Sequence, residues 1–480
     1  MNGDASAMSA PPLCVDLDGT LVRGDTLVEA CLALLKQHPL QLLLMPLWLL
    51  RGRAHFKAKV FRQVRLDPGG FAYEPAFLDW LRRERLAGRR LVLCTGSDQS
   101  IATAVAEHLG LFEAAIGSDG VHNLSGSGKR RRLTADYGPR GYDYAGNHRV
   151  DLKVWAEARR AVVVNGTAAL EREAAALATV ETVFAPERAG WSAWRRALRP
   201  HQWAKNILLF VPILAAHAWG QLDALRATML GFVAFCLCAS ATYLLNDLLD
   251  LEADRVHPRK RLRPFASGVL HPGLGLAASA ALAVAAFALA WFSTPLLCAL
   301  LAFYTVLSLS YSFRIKRLVM LDVITLAALY TLRIIAGAVA AGVEASFWLL
   351  SFSMFLFLSL AMVKRCAELH VLIAEARTQS KGRGYHAEDL PVLQQLGGAS
   401  GYLSVLVLAL YINSSASQQL YRHPQFLWLL CPLLLYWISR VWIITHRGGM
   451  HDDPVVFALR DRSSRWIGAA ALLVAALAVR

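Results

Sequence analysis

Residues 246–268 read NDLLDLEADRVHPRKRLRPFASG: a membrane-length apolar run closes in four acids, Asp247, Asp250, Glu252 and Asp254, then meets five basic residues, Arg255, Arg259, Lys260, Arg261 and Arg263. Asn246, Asp247, Asp250 and Asp254 are one, three and four residues apart. At about 100° per residue they fall within roughly a quarter of a helix circumference, one face over about two turns. Two carboxylates about 5 Å apart repel by roughly 3 kcal/mol at an effective dielectric near 20. Such a face at the mouth of a membrane bundle needs a cation, and its oxygen donors point to Mg2+. The basic residues would then meet an anion that the metal also touches, which fits a diphosphate. A solvated loop explains the basic residues equally well, but not the acid spacing.

Outward from this stretch, apolar content is unevenly placed along 480 residues that are 56% hydrophobic, with a mean hydropathy of +0.39. Up to about residue 185 the chain reads as a soluble α/β protein. Beyond it, segments long enough to cross a bilayer as helices recur near 207–220, 225–245, 272–292, 296–312, 320–341, 346–363, 398–418, 426–445 and 466–479, about nine in all. The expected organisation is an α/β domain over 1–185, an interfacial junction over 186–206 and an all-α polytopic membrane bundle over 207–480.

The net charge of +15 would suit nucleic acid, but its clusters, Arg255–Arg263, Arg314–Arg317, Lys364–Arg365 and Arg460–Arg465, all lie between apolar segments. This is the positive-inside pattern of a multi-pass cell-membrane protein with its N-terminal domain and active sites in the cytoplasm. Nine crossings keep all four clusters on that side, and no nucleic-acid partner is expected. MNGDASAMSAPPLC has no basic n-region and no apolar h-region, so no signal peptide is expected, only a short disordered head over 1–10. The eight cysteines include no CxxC pair and read as reduced packing residues.

In the soluble half, LCVDLDGTLV is a short apolar strand that stops at Asp16-Leu17-Asp18-Gly19-Thr20. Asp16 and Asp18 point the same way at an extended strand end, and the glycine permits a sharp turn. A second strand, RRLVLCTGS, ends in Thr95; Lys129 lies in the polar connection GSGKRRR; GYDYAGNHRVD delivers Asn147 and Asp151. Alternating strands and helices predict a parallel sheet with its site at the carboxyl ends of the strands. The chemistry fits a phosphoryl group. Asp16 would attack phosphorus and Asp18 would protonate the leaving alkoxide. Thr95 and Lys129 would hold the phosphoryl oxygens, and Asp16, Asp18, Asn147 and Asp151 would supply ligands for Mg2+.

These motifs, in this order over 11–170, resemble those of the haloacid-dehalogenase-like phosphatases, which implies a Rossmann-like α/β fold with a helical cap, here about 24–88. Asn147 stands where many members carry aspartate. A phosphatase fold without activity is the plain alternative. Within the cap, the apolar run Leu40–Leu50 is too short to span a bilayer; it is either a core helix or a surface resting on the membrane.

The junction, WSAWRRALRPHQWAKN, interleaves Trp191, Trp194 and Trp203 with Arg195, Arg196, Arg199 and Lys205, a mixture that favours the headgroup layer. NDxxDxxxD at a helix end, among about nine spans, resembles the UbiA-type membrane prenyltransferases. Their second acidic motif is matched here by YSFRIKRLVMLDVITL, which keeps Asp322, a further candidate metal ligand, but has Leu326 four residues later. RPHQWAKN, the 246–268 stretch, YSFRIKRLVMLD, LRIIAGAVA and KRCAEL together resemble the polyprenyl-phosphate phosphoribosyltransferases of this superfamily, over about 199–370. The resemblance implies transfer of 5-phosphoribose from 5-phosphoribosyl 1-diphosphate to a polyprenyl phosphate, decaprenyl phosphate in the relatives. On this reading Asp247 and Asp250 are catalytic, with Asp254, as Mg2+ ligands. Asn246, Arg255, Lys260, Arg261 and Arg263 bind substrate, while Lys205, Tyr311, Lys316 and Arg333 are candidates for its phosphates. Tyr311 is equally an interfacial aromatic and Arg333 a packed helix residue. The fused domain would then remove the 5-phosphate. The rivals are an aromatic prenyltransferase with a fused phosphatase and a membrane-anchored lipid phosphatase. Lipid length and homo-oligomerisation stay open.

Overall fold

The structure, a computed structural model, describes residues 10–186, 190–374, 383–450 and 453–479. Of the expected disordered head, all but Ala10 lies outside the described residues. Two compact units divide the chain, residues 1–198 with 243–279, and residues 199–242 with 280–480.

The first unit is built on six parallel strands: β1 (Leu13–Val15), β2 (Leu91–Asp98), β3 (Ala114–Ser118), β4 (Asp143–Gly146), β5 (Arg160–Val164) and β6 (Thr179–Phe184), in the order β3-β2-β1-β4-β5-β6. Every residue of β1 and β4 is buried, because crossover helices cover both faces of a parallel sheet. Alternate residues serve opposite faces. Leu13, Val15, Leu93 and Val162 join one apolar core, and Cys14, Cys94, Tyr144 and Val163 the other. From β1 the chain steps outward to β2 and β3 and then returns to β4 on the other side. That reversal opens a crevice at the carboxyl end of β1, between β2 and β4. Between β1 and β2 the chain is helical, with helices Thr26–Gln37, Met45–Leu50, Arg53–Gln63 and Pro75–Leu86. The first of these is started by Asp25, whose carboxylate accepts from the Leu27 and Val28 amides.

Among the described residues, eight helices are long and apolar enough to cross a membrane: Leu222–Leu249, Pro272–Ser293, Pro295–Phe313, Leu321–Ala341, Phe347–Ala374, Ala387–Ile412, Pro424–His446 and Arg462–Val479. The ninth expected segment, 207–220, is not one helix. A 3-10 stretch Pro200–Phe210 passes into a short α-helix Val211–Ala215 and a 3-10 turn Ala218–Gly220. Pro212 removes a backbone donor, and His217 sits at φ +56°, where a helix does not continue. This broken segment packs directly on helix Leu321–Ala341: a Cβ on Gly337 would lie 2.1 Å from the Leu209 carbonyl oxygen. All eight cysteines are free thiols.

Candidate active sites

In the crevice of the first unit, β1 ends by delivering Asp16, and its amide donates to the Ala145 carbonyl of β4 at 3.0 Å. Gly19 turns the chain at φ +73°, and a Cβ there would come 2.0 Å from Asn147 Nδ2, so the loop and Asn147 fit only with glycine. Lys129 comes from helix Ser127–Tyr137, not from a loop, and is buried. Its Nζ lies 2.8 Å from Asp16 Oδ1 and donates to Tyr144 Oη at 2.7 Å. Tyr144 Oη donates in turn to Asp151 Oδ1 at 2.9 Å, while the Asn147 and His148 amides donate to Asp151 Oδ2 at 3.1 and 3.0 Å. Asp18 accepts from Ser97 Oγ at 2.6 Å and from the Thr26 amide at 2.7 Å. Thr95 is fully buried, and its Oγ1 accepts from the Ser97 amide at 3.0 Å. The candidates Asp16, Asp18, Thr95, Lys129, Asn147 and Asp151 thus come to one crevice.

Burial pushes the Asp16 carboxyl up to about 7; Lys129 opposes the shift and the charge of Asp151 adds to it. Burial and Asp25 raise Asp18 as well, which suits a group that gives up a proton. Asp16, Asp18 and Asp151 gather beside two ammonium groups, Lys129 on Asp16 and Lys57 held up by Asp18, Asp25 and Asp16, and their donors are the hard oxygens Mg2+ takes. They do not form a ready cage: among the described residues no three His, Cys, Asp or Glu side chains converge closely enough to hold an ion.

The same unit contains the acidic stretch. Asn246 and Asp247 occupy the last turn of helix Leu222–Leu249, Asp250 stands at a break (φ −100°, ψ 11°), and Asp254 lies on helix Leu251–Val256. Amide donation from Asp250 to the Asn246 carbonyl and from Asp254 to the Asp250 carbonyl keeps helical spacing across the break, at 3.0 and 2.8 Å. One nitrogen of Arg263 therefore reaches both Asp247 Oδ1, at 3.1 Å, and Asp254 Oδ2, at 2.5 Å. Burial raises Asp254, and Arg263 and Lys260 oppose it. Lys260 and Arg261 are exposed. Arg255 turns to the cap, where its two terminal nitrogens donate to Glu29 at 2.8 Å and one of them to the Gly70 carbonyl at 3.0 Å. Asp250 is met by Lys36 at 3.2 Å.

The remaining candidates lie in the helical unit, in three polar knots and on one turn. Lys205 pairs with Asp453 at 2.7 Å, and Lys364 reaches the same oxygen at 3.4 Å. Arg333 donates to Asn206 Oδ1 at 2.9 Å, to the Leu329 carbonyl at 2.8 Å and to Tyr304 Oη at 2.6 Å, all buried. Asp322 is buried against Arg365 at 2.9 Å and accepts from Tyr385 Oη at 2.5 Å. Arg365 also pairs with Glu368, and Tyr311 Oη accepts from Arg383 at 3.3 Å. Lys316 is on the 3-10 turn Ile315–Arg317.

Several of these partners escape sequence reasoning. Lys57, on helix Arg53–Gln63, donates to the Gly96 carbonyl at 2.6 Å beside the crevice; burial pulls its ammonium down while Asp18, Asp25 and Asp16 hold it up. Glu29, Ser97, Tyr144, Glu368, Tyr385 and Asp453 likewise carry no spacing signal. Only HDDP, with an acid before a helix-starting proline, marks Asp453 as a cap.

Comparison with known proteins matches two families, and it gives residues 243–279, which pack with the first unit, to the family that also takes in most of the helical unit. The UbiA prenyltransferase family model matches residues 207–464, and the haloacid dehalogenase-like hydrolase model matches residues 13–160. The chain is 37% identical over 461 residues to the uncharacterised protein y4nM of Sinorhizobium fredii, covering 95% of this chain and 89% of that one. The nodulation protein NoeC of Azorhizobium caulinodans is 38% identical over 273 residues, 56% of this chain and 87% of its own. The decaprenyl-phosphate phosphoribosyltransferase of Mycobacterium tuberculosis is 32% identical over 271 residues, again 56% of this chain and 87% of its own.

Proposed function

Because the chain belongs to the UbiA prenyltransferase family and carries a haloacid dehalogenase-like domain ahead of the membrane helices, we propose that it is a bifunctional membrane enzyme. The membrane half transfers 5-phosphoribose from 5-phosphoribosyl 1-diphosphate to a polyprenyl phosphate such as decaprenyl phosphate. The N-terminal domain then removes the 5-phosphate, leaving polyprenylphosphoryl-ribose. The observation that carries the first step is the meeting of Asp247 and Asp254 on Arg263, with Lys260 3.9 Å from Asp254, in a chain similar to a decaprenyl-phosphate phosphoribosyltransferase.

On this reading Asp247, Asp250 and Asp254 are the residues that would hold Mg2+, which would supply positive charge to a departing pyrophosphate. Arg263, Lys260 and Arg261 stabilise the same developing charge as the ribose becomes oxocarbenium-like, while Arg255, spent on Glu29 and the Gly70 carbonyl, ties the acidic segment to the cap. The acceptor is already an anionic phosphate oxygen, so no strong general base is required. Lys205, Tyr311 and Lys316 bind the 5-phosphate or the lipid phosphate. Arg333, spent on Asn206 and Tyr304, holds the broken segment that carries Lys205. In the N-terminal crevice Asp16 is the nucleophile, Asp18 the general acid, and Thr95 and Lys129 hold the phosphoryl oxygens; Asp16, Asn147 and Asp151 are the Mg2+ ligands.

Both sites face the cytoplasm of a cell-membrane protein in this reading.

Labelled 5-phosphoribosyl 1-diphosphate, mixed polyprenyl phosphates and mass spectrometry of the lipids test the reading. The wild type should release pyrophosphate and form the ribosyl lipid; Asp16→Asn should stop at a product heavier by one phosphate. Preferential use of an allylic diphosphate with an aromatic acceptor would overturn the transferase assignment. The same phosphorylated lipid from wild type and Asp16→Asn would remove the phosphatase step.

A further inference from the structure

The outer face of the cap is apolar where a water-facing domain is ordinarily polar. A 3-10 stretch Pro39–Leu44 runs into helix Met45–Leu50. Met45 and Trp48 pack against the core of the domain. The other side is left bare: Leu40, Leu43, Leu47 and Leu50 are 80%, 76%, 57% and 84% exposed. Clustered exposed leucines of this kind mark a binding surface, and twelve residues are too few to cross a bilayer. From Lys36 to Arg53 the segment carries Lys36, Arg51 and Arg53 and no acid, the flanking charge that suits lipid headgroups.

A second contact says what covers the leucines. Lys36, three residues before Pro39, donates to the Leu249 carbonyl at 3.0 Å and pairs with Asp250 at 3.2 Å. Leu249 is the last residue of the 28-residue apolar helix Leu222–Leu249, and both residues belong to the same compact unit. One end of the leucine segment is therefore pinned to the end of a helix long and apolar enough to cross a membrane. We propose that Pro39–Leu50 lies in the membrane interface, with Leu40, Leu43, Leu47 and Leu50 among the acyl chains and Arg51 and Arg53 at the headgroups. The cap is then a lipid-bound element, and its domain stays at the surface where a phosphate borne on a polyprenyl chain emerges.

The full chain in phospholipid nanodiscs, spin-labelled singly at Leu43→Cys, Leu47→Cys or Leu50→Cys, tests this. Arg82→Cys, on the exposed side of helix Pro75–Leu86, is the water-facing control. Collision with oxygen should exceed collision with a water-soluble nickel chelate several-fold at all three leucine positions, relative to the control. Nickel access equal to the control would show a solvated patch. Protection from both reagents would show a protein covering, from this chain or a second copy. Either result overturns the proposal. The measurement reads depth and not turnover, so its failure is separate from failure of the proposed reaction.

Discussion

Asp453 answers two lysines with one carboxylate, at 2.7 Å from Lys205 and 3.4 Å from Lys364. Burial pushes its pKa up, but the two ammonium groups overrule it and hold the carboxyl down at about 2. A depressed carboxylate stabilises the fold fully above its unfolded value, near pH 4, and loses that contribution as the pH falls through about 2. Asp453→Asn should therefore lower the unfolding temperature in detergent at pH 7, and the gap to wild type should close toward pH 2–3. A pH-independent gap would point to packing alone. At the other end of the chain, Gly19→Ala places a Cβ against Asn147 at φ +73°. About 1 kcal/mol or more of backbone strain, with displacement of Asn147, should abolish hydrolysis of a sugar phosphate while phosphoribosyl transfer persists, measured side by side. Asp16, Asp18 and the glycine turn were readable because their chemistry is local, one strand end and one tight turn. Asp453 was not, since its meaning comes from lysines 248 and 89 residues away.

Helical periodicity placed the acidic face, and the structure keeps its spacing through a break at Asp250 that the periodicity does not reveal. It also divides the basic arm that follows. Arg263 turns back on the acids, whereas Arg255 is buried against Glu29 on the first helix of the cap, with side chains 9% and 7% exposed. Removing one member of a buried ion pair strands the other, at a cost of about 3–5 kcal/mol. Glu29→Gln should thus loosen the acidic segment and raise the KM for 5-phosphoribosyl 1-diphosphate, though Glu29 lies more than two hundred residues away in sequence. Hydrolysis of a small soluble sugar phosphate should be little changed. Equal loss of both activities would mean that the substitution unfolds the cap. The element least legible in sequence was 207–220: its apolar count suits a span, but Pro212 and the left-handed His217 divide it into short pieces.

On the scale of the whole molecule, the proposed two-step reading would make the value of the fusion the effective concentration of one site for the product of the other. Asp16→Asn and Asp250→Asn each remove one proposed step. Reconstituted together in the same vesicles, they should restore the dephosphorylated lipid, but more slowly than an equal amount of wild type. A mixed rate matching wild type would show that the product passes freely between molecules. By itself the sequence determined two halves, one α/β and one of membrane-length helices, and the residue types of two candidate phosphate-handling sites. Those features rest on local periodicity, strand-end chemistry and helical spacing, which act within a few residues. Only the tertiary structure decided that Lys129 meets Asp16, that Asp322 is buried against Arg365 and that Arg255 belongs to Glu29. These pairings depend on which surfaces are packed together, and a buried charge takes whichever opposite charge that packing brings within reach.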